Sequence, residues 1–264
     1  MHVSALTVYP IKSCAGISVT RWPLERRGLR HDRSFMVVDG EGTFLTQREH
    51  PALALVHPQI DDDRLTIHAP DRSPVAIDLT ATGSARTDVT LWEFTGTAVD
   101  AGDEAAALFT DHLGTAVRLV AMPADLPREA DPDYAGAGHP VGFADGFPLL
   151  VTNEASLADL NGRMADALPM QRFRPNIVVA DAPAYAEDNW RTVRVGAIDV
   201  DVVKACARCT ITTVDPDTGT RDGGEPLRTL GTYRRGERGV LFGQNAVPRS
   251  TGVVQIGDPI GVLR

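Results

Sequence analysis

At 264 residues and 43% hydrophobic, the chain can bury a substantial core as one large domain or two smaller ones. Its net charge of −9 excludes a global basic footprint for nucleic acid or acidic lipid, although local basic clusters survive in an acidic protein. No run approaches the ~20 apolar residues of a membrane span, and three cysteines, an odd number, argue against a disulfide framework and fit a reducing, cytoplasmic setting.

The chain opens on a strand rather than on the basic-then-apolar pattern of a signal peptide. Strand signals recur at residues 6–9, 34–39, 53–56, 65–68, 75–78 and 90–94, each rich in β-branched or large apolar residues and bounded by turn formers. Asp39-Gly40-Glu41-Gly42, between Phe35-Met36-Val37-Val38 and Thr43-Phe44-Leu45-Thr46, predicts a tight hairpin. Residues 103–113 open with Asp and Glu, are alanine-rich and stop at Gly114, which predicts a helix. Residues 123–140, with repeated Pro, Asp and Gly, predict a surface loop or linker. A second helix is predicted over 154–168, with Asn153 as N-cap and Leu157, Leu160, Met164 and Leu168 on one face. Further strands are predicted at 176–179, 193–195, 198–203, 210–214, 241–245, 252–256 and 260–263. So many short strands predict barrels rather than a parallel sheet, in a mainly β fold with a few helices. A division near residue 120 gives a strand-rich unit over 1–120 and a barrel-like unit over 121–264.

The richest stretch for chemistry is Lys204-Ala205-Cys206-Ala207-Arg208-Cys209, at the end of a strand-like run. A thiolate beside a guanidinium can be a metal ligand, a redox thiol or a nucleophile, because positive charge favours ionised sulfur. Zinc needs about four ligands, yet Cys14 is the one other cysteine and no His pair has a suitable spacing. A redox pair expects a helix start in a βαβ setting, whereas β-branched residues follow here. Two buried structural thiols are a further reading, beside a single functional thiolate at Cys209 with Cys206 as its neighbour.

Other segments offer anion-binding groups. Tyr9-Pro10-Ile11-Lys12-Ser13-Cys14-Ala15-Gly16 runs from a strand into a small-residue turn with an ammonium and free amides. His31-Asp32-Arg33 precedes a buried strand, Thr46-Gln47-Arg48 follows the hairpin, and Pro175 in Arg174-Pro175-Asn176 predicts an extended Arg174. If they converge, Lys12, Arg33, Arg48, Arg174 and Arg208 suffice to hold an anion. No dinucleotide-binding glycine fingerprint, phosphate loop, His-Glu-x-x-His or Gly-x-Ser-x-Gly elbow occurs.

Together these segments resemble the MOSC superfamily, related to the C-terminal part of molybdenum-cofactor sulfurase. Tyr9-Pro10-Ile11-Lys12-Ser13-Cys14, Asp32-Arg33-Ser34-Phe35 and Thr46-Gln47-Arg48 look like the family's N-terminal β-barrel unit. Phe173-Arg174-Pro175-Asn176, Cys206-Ala207-Arg208-Cys209, Thr213-Val214-Asp215-Pro216-Asp217-Thr218-Gly219, Glu225-Pro226-Leu227, Phe242-Gly243-Gln244-Asn245 and Val254-Gln255-Ile256-Gly257-Asp258-Pro259 look like the MOSC β-barrel domain. The pattern is similar to that of the amidoxime-reducing components of mitochondria and their bacterial relatives, which reduce N-hydroxylated compounds at a molybdenum centre.

The resemblance implies a bound molybdenum cofactor with Cys209 as the protein's ligand to the metal. It implies Lys12, Ser13, Arg33, Arg174, Asn176 and Arg208 around the pterin and its phosphate, and Asp145 near the open face of the metal. Soft sulfur suits such a metal, Arg208 is expected to favour the Cys209 thiolate, and the basic set balances the phosphate. Ala207 stands where relatives often have serine. The membrane anchor of mitochondrial members is not expected, and three cysteines are too few for the four-thiolate cluster that some bacterial members append. Electrons are therefore expected from a separate ferredoxin- or cytochrome b5-like donor, to reduce a small N-hydroxylated substrate. The alternatives are a persulfide carrier or transferase of the sulfurase type and a non-catalytic cofactor carrier. The pyridoxal phosphate of sulfurases belongs to a desulfurase domain that does not fit within 264 residues.

Overall fold

The computed structural model describes residues 1–79 and 85–264. Among these, nineteen strands run with four α-helices and four 3-10 helices, the mainly β architecture that the strand signals predict. No helix among them is long and apolar enough to cross a membrane.

The largest sheet runs Ile260–Val262, Thr192–Val195, Ile198–Arg208, Gly239–Pro248, Leu149–Asn153, Ile177–Ala180, His2–Val8 and Ile17–Val19, with Arg235–Gly236 paired to Gly239–Pro248. Its neighbours are antiparallel except Leu149–Asn153 with Ile177–Ala180. Parallel neighbours need a crossover, and helix Glu154–Asn161 lies in that connection. A four-stranded sheet joins Phe35–Val38, Arg118–Ala121, Phe94–Asp100 and Arg86–Leu91, and two three-stranded sheets complete the set. Segments on either side of residue 120 share sheets: His2–Val8 pairs with Ile177–Ala180, and Gly252–Gln255 with Arg21–Glu25.

Strand Phe35–Val38 is buried at all four positions. Successive side chains of a strand point to opposite faces. Phe35 and Val37 accordingly join a core with Ile11, Leu53, Phe109 and Leu119, while Met36 and Val38 join another with Leu91, Leu126 and Phe143. A third core, with Val3, Leu6, Val179, Trp190 and Val200, belongs to the large sheet. A fourth gathers Leu160, Phe173, Leu230 and Phe242, with the two phenylalanine rings stacked at 4.0 Å.

Four local expectations are overturned, each by a hydrogen bond or turn that periodicity does not register. The sequence predicts a strand over residues 53–56; Pro51–Leu55 is instead a 3-10 helix with proline in its first turn. The β-branched run 210–214 also begins as a 3-10 helix, Thr210–Thr213, because the Thr212 and Thr213 hydroxyls donate back to the carbonyls of Cys209 and Thr210. Residues 90–94 contain a hairpin turn rather than one strand: Leu91 faces Phe94, and Trp92 takes φ 54°. The helix predicted over 154–168 stops at Asn161, whose side-chain amide bonds both the N–H and the C=O of Leu168 and folds the tail back. Elsewhere helix Asp103–Leu113 ends at a left-handed Gly114, and Asn153 caps Glu154–Asn161, as read from the sequence. The 123–140 loop carries one short helix, Pro132–Ala135.

Phe242→Ala removes one ring of the stacked pair from a site with no solvent exposure. It is expected to lower the unfolding free energy by about 3–5 kcal/mol in urea titrations. A loss below about 1 kcal/mol would mean that the two rings are not a packed unit.

Candidate functional site

Five chain segments bring all eight candidate residues, Lys12, Ser13, Arg33, Asp145, Arg174, Asn176, Arg208 and Cys209, to one cavity of about 280 Å³, which Asn245 from a sixth segment also lines. The first segment leaves strand His2–Val8 and turns through Ser13 at φ 66°. The Lys12 N–H donates to Phe35 O at 2.8 Å and the Phe35 N–H to Pro10 O at 3.0 Å, which docks the turn on the strand shared by two cores.

Asp32, 4% exposed, joins this turn to two others. Its Oδ1 accepts from the Tyr9 N–H at 2.8 Å and from Asn176 Nδ2 at 2.9 Å, and its Oδ2 accepts from Arg33 Nη1 at 2.6 Å. Burial pushes the Asp32 carboxyl upward, and Arg33 opposes that shift. Asn176 is also engaged on its other atoms: Oδ1 accepts from Leu150 N and Arg33 Nη1, and Nδ2 donates to Thr7 O. Its amide thus braces the cavity from four protein partners.

Arg174 departs from the extended conformation expected before proline: it is left-handed, at φ 56° and ψ 47°. Its N–H closes a turn on Gln171 O, and Nη1 donates to Cys14 O at 2.7 Å, which together hold it there. The Arg33 and Arg174 guanidinium carbons each lie 4.3 Å from the Tyr9 ring centroid. Burial pushes Arg174 down to about 10, and its Nη2 is buried without a hydrogen-bond partner.

The Cys206–Cys209 segment corrects one expectation. Arg208 Nη1 lies 2.9 Å from the Cys206 sulfur and Nη2 donates to Phe173 O, so the guanidinium serves Cys206 rather than Cys209. The physical reason is the strand itself: residues two apart share a face, and Arg208 ends Ile198–Arg208. The cation on Cys209 is Arg48. Burial opposes the Arg48 charge, but the attraction of Asp145, which accepts a hydrogen bond from it, and of the Cys209 sulfur pushes its pKa above the ordinary range. The Cys209 carbonyl accepts from the N–H and hydroxyl of Thr212, which leaves the sulfur side toward the cavity. Cys14 takes no part: burial pushes its thiol up to about 12.

Asp145 is the electrostatic centre of the opposite segment. Its Oδ1 pairs with Lys12 Nζ and its Oδ2 accepts from Arg48 Nη2 at 3.1 Å, while the side chain stays 51% exposed. Burial raises the carboxyl, yet Lys12 and Arg48 outweigh it and hold it well below the usual carboxylate range. Burial lowers the Lys12 ammonium against the attraction of Asp145. Lys12 Nζ also donates to Phe143 O at 3.0 Å, and Arg48 lies 4.8 Å over the Trp92 ring. Gly142 lets this segment approach, since a Cβ there would meet Arg33 O at 2.8 Å and Asp32 O at 2.9 Å. Arg128 bonds the Gly142 and Asp145 carbonyls.

Arg48 had a signal in the sequence, as part of the polar Thr46-Gln47-Arg48 cluster. Arg128 and Trp92 had none, being isolated in a proline-rich loop and an apolar run. Among the described residues, no three His, Cys, Asp or Glu side chains gather into a metal-ligating group.

Residues 1–116 match the MOSC N-terminal beta barrel domain, and residues 138–261 match the MOSC domain. The chain is 36% identical over 275 residues to Mitochondrial amidoxime reducing component 2 of Bos taurus, covering 98% of this chain and 82% of that protein. It is 34% identical over 278 residues to Mitochondrial amidoxime-reducing component 1 of Homo sapiens, covering 99% and 82%.

Asp145→Asn would leave the Lys12 ammonium buried without its counter-ion. The expected cost at pH 7 is about 1–3 kcal/mol, less than a fully buried pair commands because half of Asp145 meets solvent. The folded-state pKa of Asp145 is depressed, so its stabilisation is complete above the unfolded carboxyl pKa of ~4 and fades as pH falls below it. Denaturant melts at pH 7 and pH 3 check this: a gap that is absent at pH 7, or that does not narrow at pH 3, contradicts it.

Proposed function

The chain belongs to the MOSC family, and from that premise we propose that it is a molybdenum-cofactor-dependent oxidoreductase that reduces N-hydroxylated substrates. The observation that carries this reading is the convergence of Cys209 with a cationic cavity whose arginines are incompletely partnered. Arg174 Nη2 and Arg208 Nε are both buried without a hydrogen-bond partner, the condition a bound polyanion or its ordered waters would relieve. Among the described residues no further metal-ligating side chains gather with Cys209, so in this reading a metal there brings its remaining ligands with it. A soft metal already carried on a pterin dithiolene meets that requirement. The residues therefore fit the group.

In this reading Cys209, which lines the cavity, supplies the protein's thiolate ligand, with the Arg48 guanidinium as its neighbouring positive charge. Lys12, Ser13, Arg33, Arg174 and Arg208 hold the pterin and its phosphate by charge-assisted hydrogen bonds, while Asn176 positions Arg33 and the Leu150 amide. When bound, the cofactor would supply a redox centre for the reductive cleavage of an N–O bond. Cleaving N–OH to N–H and water consumes two electrons and two protons. Asp145, held ionised by Lys12 and Arg48, is a poor proton donor near neutral pH and instead accepts hydrogen bonds from the substrate's N–H and O–H groups. In the same reading the electrons come from a separate ferredoxin- or cytochrome b5-like protein.

One observation favours a second reading. The guanidinium on Cys206 suits a sulfur-carrying thiolate, so persulfide transfer is the competing function. A persulfide mass on Cys206 in metal-free protein supports that function.

Cys209→Ala is expected to lose molybdenum by more than the ~10–100-fold that removal of a mere supporting partner costs. Metal content, release of a fluorescent pterin derivative and N-hydroxy reductase turnover should fall together. Retention of stoichiometric metal and full turnover would refute the reading.

A further inference from the structure

Beside Cys209 the cavity carries an aromatic and cationic wall. Tyr134, on the short helix Pro132–Ala135, and Phe147 meet edge to face, with ring centroids 6.4 Å apart and planes at 86°. Lys204, on strand Ile198–Arg208, lays its ammonium 4.0 Å from the Tyr134 centroid and 5.7 Å from that of Phe147. Phe147 and Lys204 both line the cavity. Arg238, exposed between Arg235–Gly236 and Gly239–Pro248, lies 5.3 Å from the Tyr134 centroid.

Lys12 and Arg33 each have a carboxylate. Lys204 and Arg238 do not: none of the ion pairs among the described residues includes either. In a chain of net charge −9, two neighbouring cations without a counter-ion leave a local positive potential at the cavity wall. The rings hold the half-buried ammonium in place by cation–π attraction, so little side-chain freedom is lost when an anion meets it. Phe147 adds an apolar face for a planar group.

We propose that Lys204, fixed on Tyr134 beside Phe147, selects among N-hydroxylated substrates for those bearing a planar ring and a negatively charged substituent. The proposal rests on the reductase reading for its substrate class, and on the wall alone for its charge preference. Lys204 is a specificity residue: it sets which molecule dwells at the metal and leaves the N–O cleavage step untouched.

The test uses the loaded enzyme with reduced viologen as electron donor. The probes are three aryl amidoximes alike except for a para carboxylate, carboxamide or trimethylammonium group. Wild type should favour the carboxylate over the trimethylammonium compound in kcat/KM, through KM. Lys204→Gln should cut that preference about tenfold, Lys204→Glu should invert it, and Lys204→Arg should restore it. Calorimetric binding of the matching amidine products should follow the same order and does not depend on turnover. Melting curves confirm that each variant is folded.

If wild type reduces none of the probes, the reductase reading fails, while the binding order still tests Lys204. If turnover is present but the charge preference and binding order are the same in Lys204→Glu as in wild type, the proposal is overturned. It is also overturned if Lys204→Glu alters only the KM for an acidic donor protein.

Discussion

The cavity depends on one buried carboxylate. Asp32 ties together Tyr9, Arg33 and Asn176, and those three belong to the segments that supply Lys12, the Arg33 guanidinium and Arg174. A carboxylate this buried is costly unless its lone pairs are met; here a backbone amide, a side-chain amide and a guanidinium meet them. The same contacts fix the relative position of parts of the chain more than a hundred residues apart. Apolar packing sets the sheets, but this polar junction sets where the cations point.

A second constraint follows from how charge is arranged around it. The cavity gathers more guanidinium and ammonium groups than carboxylates, and Asp32 and Asp145 neutralise only part of them. Such an excess stores repulsion that a bound anion would relieve, and Arg174 and Arg208 also keep buried N–H groups without a partner. Arg48 divides its charge between Asp145 and Cys209, so the sulfur and the carboxylate answer to one guanidinium. The electrostatics at the two ends of the cavity are therefore coupled through a residue whose neighbours in sequence are unremarkable polar ones.

Much of this was legible in the amino-acid sequence. The mainly β class, helix Asp103–Leu113 with its glycine stop, and the Asn153 cap rest on local signals that tertiary context did not override. The eight site candidates all line one cavity; the cations and Cys209 are chemically marked in the sequence, whereas Asp145 and Asn176 were legible only through the family resemblance. The failures share a cause. Thr210–Thr213 and Asn161 make side-chain-to-backbone bonds that β propensity and helical periodicity ignore. Arg174 adopts a left-handed conformation because partners distant in sequence, Cys14 and Tyr9, hold it. The pairing of Arg208 with Cys206 depended on strand face rather than on adjacency, and Arg128 and Trp92 acquire meaning only through Asp145.

The pairing of His2–Val8 with Ile177–Ala180 bears on how the protein is made. His2–Val8 pairs locally with Ile17–Val19, but its other partner in the large sheet, Ile177–Ala180, follows only about 170 residues later. Contacts of such sequence separation slow folding, because the chain entropy is lost before the contact forms. The turn bearing Lys12 and Ser13 cannot acquire its Asn176 and Arg174 neighbours earlier than that. The cavity is thus absent from the nascent chain and completed late, so a ligand would meet an assembled receptor rather than a half-formed one.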